Sequence, residues 1–352
     1  MGAVTAYGVG AEPLIAGTGS GKNTIAPIHE FCTEGLPVRI ASEVNSSLLD
    51  APDSYVGKSA RMAWVAAREA LAAARLDPQT EPTALAAAVG WSPPPVSMLE
   101  SSGFDDEQLE KWEQQLACRE TQPGSSSLQL HQDLHCSGRL MADHAACSAG
   151  LHAVIHAARL IQSGRFDRCL AGASDSRAHP LGIIGYARLG VLNTVNNDTP
   201  ERASRPFNVD REGFIIGEGA GFLVLESLQS AQRRGVPILG ELGGWALAND
   251  ANHLTDPMED GSRAAACVLN CLTRAGCAPE EIDYLNAHGT ATVNNDQMEC
   301  AAYQSIWGSA RSQPAISSTK SMIGHLSMAS AAVESIVTLG AIRNNIIPPT
   351  LN

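Results

Sequence analysis

The strongest constraint on the fold of this chain is an alternation of two hydrophobic periodicities, run through twice. Residues 147–163 carry apolar side chains at helical spacing and stop at Gly164, after which "RCLAGAS" (168–174) and "GAGFLVLES" (219–227) read as short apolar strands. A polar, Arg-rich helix at 228–235 opens a second series, with strand 238–247, helix 260–275, strands 284–289 and 315–319, and helix 327–342. Helices alternating with strands predict an α/β class, and two series of like grammar predict an internal duplication, here divided as residues 1–227 and 228–352. In each series a small-residue turn bearing a reactive side chain, Cys147 or His325, opens a helix that ends before a new strand.

Upstream, the alanine-rich stretch 57–76 predicts a helix closed by Asp77-Pro78, and "ALAAAVGW" (84–91) a short buried strand. Residues 92–127, with Pro93-Pro94-Pro95, a charged helical piece at 105–117 and Ser125-Ser126-Ser127, read as an irregular surface segment. Composition narrows the function. With 352 residues, 44% hydrophobic, the chain can bury a sizeable core, and 32 glycines against 5% aromatics favour close backbone packing. A net charge of -13 without any Lys/Arg block argues against a nucleic-acid partner. The nine cysteines are odd in number and irregularly spaced, and no signal-like segment precedes them, so a reducing cytoplasmic setting is expected. No apolar run approaches the roughly 18 residues of a membrane span, and no membrane partner is expected.

Three motifs invite readings that their details oppose. "GTGSGKNT" (17–24) looks like a phosphate loop, but Ala16 stands where the first glycine is needed and Asn23 where a magnesium-binding hydroxyl is needed, leaving a surface turn. His152 and His156 share a helix face, yet Ala153 follows the first of them instead of the glutamate of a zinc protease, so they read as packing histidines. Cys267 and Cys271 have no partner pair at zinc spacing and read as buried thiols. No metal site is expected.

Cys147 is different. It stands among Ala145, Ala146, Ser148, Ala149 and Gly150 at a helix start, where unpaired N–H groups favour a thiolate and small neighbours leave room for a substrate carbonyl. "NAHGTAT" places His288 after a strand and before the hydroxyls of Thr290 and Thr292, and "SSTKSMIGHLS" places His325 after Gly324 with Lys320 five residues earlier. Glycine-flanked, hydroxyl-rich turns are unusual settings for core histidines. A cysteine with two such histidines follows the Cys–His logic of nucleophilic catalysis.

The blocks "AACSAGLHA", "ASRPFNVDREGFIIGEGAGFLVLE", "NAHGTATVNNDQME" and "SSTKSMIGH…AAVESI…IPPTLN" resemble the β-ketoacyl-acyl-carrier-protein synthases, condensing enzymes of fatty-acid and polyketide synthesis, in that family's order. The resemblance implies a thiolase-like fold, two pseudo-symmetric halves with mixed sheets around a buried helix layer, and a homodimer or a heterodimer with a related subunit. It implies Cys147 as the acyl-accepting nucleophile, His288 and His325 as supports of malonyl decarboxylation, Lys320 and Glu334 as the charged network around them, and Thr290 and Thr292 as hydroxyls near a pantetheine arm. No cofactor is expected, since the substrates arrive on the phosphopantetheine of an acyl-carrier protein. That partner is acidic, so Lys58, Arg61 and Arg68 on the first helix are expected to dock it.

Two rival readings accompany this one. A non-catalytic partner of the chain-length-factor kind would have no need of Cys147, and a coenzyme A thiolase would pair cysteines with one histidine. Departures from the family pattern are expected at both ends. "MGAVTAYG" reads as the end of a first strand, so that strand is expected to be lacking, with Met1 internal to a longer chain or assigned late. The family also continues past "PPT-N" to a Gly-Phe-Gly-Gly loop supplying an oxyanion donor, so little activity is expected of residues 1–352 alone. "GWSPPPVS" is expected to reshape the acyl pocket or the dimer contact, and Met328 to add bulk close to the site, so no chain-length preference is read.

Overall fold

The computed structural model describes residues 1–92, 124–253 and 255–352. Its principal sheet has six strands: β1 (Gly2–Thr5), β2 (Gly8–Val9), β5 (Ala84–Val89), β6 (Leu140–Ala142), β7 (Arg168–Asp175) and β8 (Gly219–Glu226), in the order β2-β1-β8-β7-β5-β6. Two minor pairs are β3 (Ala26–Pro27) with β4 (Ile40–Ala41), and β9 (Tyr284–Asn286) with β10 (Ala315–Ser317). The main sheet is mixed: β5 runs parallel to β6 and β7, while β7–β8, β8–β1 and β1–β2 are antiparallel.

Both faces of this sheet are covered, which explains why β5 is an unbroken apolar run instead of an alternating one. Its period of two still sorts the side chains. Ala84 and Ala86 join Val154 and Ala157 of α4 (Ala149–Gln162) and Val333, Ile336 and Val337 of α10 (Ser330–Asn344) in one core. Leu85, Ala87 and Val89 join Met62, Ala63, Ala66 and Ala67 of α2 (Lys58–Ala73) and Leu130 of α3 (Ser125–Asp133) in the other. The remaining helices are α1 (Ala11–Gly19), α5 (Pro180–Arg188), α6 (Leu228–Arg234), α7 (Ser262–Ala275), α8 (Val293–Trp307) and α9 (Lys320–Ile323).

α4 and α10 form the buried helix layer, and small residues let them touch. A Cβ on Gly150 would lie 2.6 Å from the Ala332 backbone nitrogen. That approach brings together the turns that open the two helices, and those turns share one backbone device. Each is a 3-10 turn, Ala146–Ser148 before α4 and Ser327–Ala329 before α10. Each begins on a non-glycine residue in the left-handed region, Ala146 and Ser327, both at φ 48°. In that shared geometry Met328 occupies the place of Cys147, and His325 stands three residues before it.

Several expectations are corrected. The first strand is not lacking, because Gly2–Thr5 pairs with β8 through all four residues and is buried throughout. Residues 238–247 form no strand: Gly240 packs on Leu339 and Gly244 on the carbonyl of Cys271, but no neighbouring strand offers a ladder among the described residues. The serine run opens α3 instead of extending an irregular loop, with Ser127 buried and its hydroxyl donating to the Ala87 carbonyl at 3.2 Å. The proline triplet and the charged piece at 105–117 lie outside the described residues. Residues 17–19 end α1, where Thr18 is buried and its hydroxyl donates to the Leu14 carbonyl, so this stretch is not a surface turn throughout. Every described cysteine is free, and among the described residues no helix is long and apolar enough to cross a membrane.

Candidate active site

Cys147 lies half-buried in the turn before α4, and the fold brings both predicted histidines to it. The Cys147 sulfur and one ring nitrogen each of His288 and His325 all lie within 4.8 Å of one another. The two imidazoles meet edge to face, with ring centroids 5.3 Å apart. His288 follows β9, where its backbone N–H and that of Gly289 donate to the two carboxylate oxygens of Glu299 on α8. His325 follows Gly324, whose φ of 66° turns the chain so closely against the Ile215–Gly217 backbone that a side chain there would meet the Ile215 carbonyl oxygen at 2.8 Å. The His325 N–H then donates to that carbonyl.

The tautomer of His325 follows from its partners. The backbone N–H of Ser327 points at His325 Nδ1 from 3.1 Å, and the Ser330 hydroxyl lies 2.9 Å from the same nitrogen. A backbone N–H can only donate, so Nδ1 accepts and the ring proton of the neutral imidazole sits on Nε2. No other hydrogen bond holds the His288 ring among the described residues, which leaves its tautomer free to change.

Burial sets the electrostatics. It pushes the Cys147 thiol up; the Lys320 ammonium pulls the other way and Asp175 adds to the rise, with a net upward result. Burial therefore opposes the thiolate that the helix start was expected to favour. His288 is lowered to about 3 by burial and by Lys320, and His325 falls well below its ordinary value for the same two causes, with His288 adding to them. Both imidazoles are neutral at physiological pH.

Lys320 supplies the charge at the centre of this arrangement. It is 1% exposed and ion-paired with Glu334 of α10, whose carboxyl is raised by burial against the opposing pull of Lys320. Thr290 and Thr292 sit at the entry to α8 with their hydroxyls 2.8 Å apart, near His288 in sequence but engaged with each other. Met328 is buried with Ala88, Ala149, Ala173 and Ala332, and its N–H reaches Asp175 Oδ2 at 3.3 Å.

The proposed docking trio does not share an open face. Lys58 is 4% exposed and its ammonium is held between Glu218 at 2.5 Å and Glu30 at 2.8 Å, so it is a core ion pair unable to meet a partner. Arg61 turns inward to the carbonyls of Leu49 and Tyr55. Only Arg68 is exposed, lying over the Trp64 ring at 5.4 Å.

Sequence reasoning missed Ser327 and Ser330, which fix the His325 tautomer, and Glu299, which fastens the His288 turn. Serines two and five residues after a histidine were the only available signal for the first pair. His152 and His156 are mostly covered, with side chains 26% and 23% exposed, and both meet Asp143.

A half-buried thiol, two neutral imidazoles and a buried lysine therefore share one site. Residues 1–231 match the beta-ketoacyl synthase N-terminal domain and residues 239–352 the beta-ketoacyl synthase C-terminal domain. The chain belongs to the β-ketoacyl synthase family, and its fold is thiolase-like. It is 48% identical over 207 residues to the 3-oxoacyl-[acyl-carrier-protein] synthase 2 of Rhizobium meliloti, covering 59% of this chain and 49% of that protein, so the matched region spans about half of that relative. It is 33% identical over 369 residues to a putative polyketide beta-ketoacyl synthase 1 of Streptomyces cyaneus, covering 100% of this chain and 86% of the relative. A chain of the ishigamide ketosynthase/chain length factor structure superposes with a TM-score of 0.85 at 32% identity, over 99% of this chain and 86% of that one.

Proposed function

We propose that the protein condenses an acyl thioester, held on Cys147, with a malonyl thioester delivered by an acyl-carrier protein, giving a 3-oxoacyl thioester for fatty-acid or polyketide synthesis. The convergence of the Cys147 sulfur with nitrogens of His288 and His325 within 4.8 Å carries this reading. Relatives named as acyl-carrier-protein synthases support the carrier as partner, and the neighbouring ketosynthase/chain length factor supports a dimer with a second copy or a related subunit.

In the first half-reaction the thiol attacks the acyl carbonyl. With the thiol raised and the histidines lowered, a resting thiolate–imidazolium pair is strongly disfavoured, so proton transfer accompanies attack. His288 takes the thiol proton, since His325 Nε2 already bears one, and returns it to the departing carrier thiolate. The Cys147 N–H faces the carbonyl oxygen as donor.

In the second half-reaction the bond between the malonyl carboxylate and its α-carbon breaks. CO2 leaves, and the electron pair moves onto the thioester oxygen, where His325 Nε2–H and the single N–H of neutral His288 donate. The resulting α-carbon attacks the acyl carbonyl on Cys147, and the carbon–sulfur bond breaks to release the cysteine sulfur, which regains a proton from solvent. Lys320 opposes the negative charge in both steps while keeping the histidines neutral.

The intact cysteine argues against the non-catalytic rival. Incubation with acyl-carrier protein bearing an acyl thioester should add the acyl mass to Cys147, and malonyl-carrier protein should then yield the 3-oxoacyl product. Absence of the adduct from folded protein would refute the reading.

A further inference from the structure

A second cluster lies outside the acyl-transfer machinery, on the outer side of the helix that begins beside Cys147. His152 and His156 project from α4 one turn apart, and Asp143, in the loop between β6 and α4, points its carboxylate between them. Asp143 Oδ2 is 3.0 Å from His152 Nδ1 and 3.2 Å from His156 Nε2. One donor atom from each residue lies within 4.8 Å of the other two. All three side chains are between 21% and 26% exposed, open to an entering ion yet seated.

Zinc bonds to histidine nitrogen and carboxylate oxygen measure about 2.0–2.2 Å, so tetrahedral donors lie roughly 3.3 Å apart. The observed oxygen–nitrogen separations match that edge. Two imidazoles and one carboxylate suit zinc and its neighbours in the transition series, whereas magnesium and calcium take all-oxygen sets. Three protein donors leave at least one coordination position open.

We propose that Asp143, His152 and His156 form a divalent transition-metal site of the zinc class, against the sequence expectation that the chain has none. A bound ion ties the loop leaving β6 to the first two turns of α4. It thereby braces the segment that carries Cys147 without touching the reacting atoms. The site is independent of the condensing function, because none of its donors belongs to the Cys147, His288 and His325 group.

Cobalt(II) is the probe, added to metal-stripped full chain under reducing conditions. One cobalt per chain is expected, with a visible d–d band, a raised thermal midpoint, and paramagnetic shifts confined to the imidazole resonances of His152 and His156. The band should persist in Cys147→Ala and weaken at least about 100-fold in affinity in His152→Ala and Asp143→Asn, since loss of outer-shell partners alone costs 10–100-fold. If either variant fails to fold, the resonance shifts of the unaltered chain decide the matter. Absence of binding at millimolar cobalt, or binding lost in Cys147→Ala and kept in His152→Ala, or shifts at His288 and His325 instead, would overturn the site and show that the Asp143 contacts are only hydrogen bonds bracing the helix.

Discussion

The two turns that open α4 and α10 share a backbone and divide the chemistry. Both begin at φ 48° on a non-glycine residue, pass through a 3-10 turn and enter a helix of the buried layer. At the equivalent position one carries Cys147, half-buried and facing the site, and the other carries Met328, 5% exposed and packed among alanines. The second turn uses its free N–H differently: Ser327 N–H caps His325 Nδ1 and thereby aims Nε2–H outward. Of these two strained turns, one presents a thiol and the other a hydrogen-bond donor. The strain at Ala146 is retained where a side chain must be presented, consistent with the clustering of such outliers at functional sites.

The sharpest way to break this contrast is to exchange what each turn contributes. Cys147→Ala should lower condensation by about 10⁴-fold or more, as loss of a nucleophile does elsewhere, while leaving stability within about 1 kcal/mol. Steady-state condensation assays and urea unfolding check the two halves of that statement. Met328→Ala should do the reverse, costing about 2–5 kcal/mol of stability through a core cavity while the folded protein still acylates Cys147. If the methionine variant lost acylation without losing stability, the division between the turns would be wrong.

On the proposed mechanism His325→Ala removes an enolate donor, and it should slow decarboxylation about 10²–10³-fold. The buried neutral histidines also leave a mark on stability. His288 has a folded value near 3 against an ordinary 6.5, so between these values the unfolded chain binds more protons and stability falls as pH falls. From pH 6.5 to 5 this group should cost about 1.6 kcal/mol, measured by denaturant melts, and His288→Asn should flatten that slope. Ser330→Ala should have the smallest effect, a three- to tenfold loss in decarboxylation rate, because the Ser327 N–H still holds the tautomer.

The contrast between the turns was half legible in the sequence. Small residues around Cys147 and the glycine before His325 marked both turns, because presenting a side chain at a helix start needs small neighbours or unusual backbone angles. Met328 as the counterpart of Cys147 was not legible, since equivalence lies in dihedral angles that Ala146 and Ser327 do not advertise. Lys58 was misjudged for a related reason. Its helix was correctly read, but its partner Glu218 lies 160 residues away, and no local pattern announces a charge buried by so distant a neighbour. The strand expected at 238–247 failed because a ladder needs an adjacent strand, whereas apolar composition requires only a surface to pack against. Asp143 escaped notice because its two histidines follow it across a turn that bends the chain back.

A single-turnover experiment on His325→Ala tests the division of labour most directly, with acyl transfer to Cys147 followed by mass and CO2 release from malonyl-carrier protein followed separately. The expected result is CO2 release slowed 10²–10³-fold with acyl transfer within about tenfold of the unaltered chain. Equal loss of both steps would contradict the assignment of the donor to one half and the nucleophile to the other.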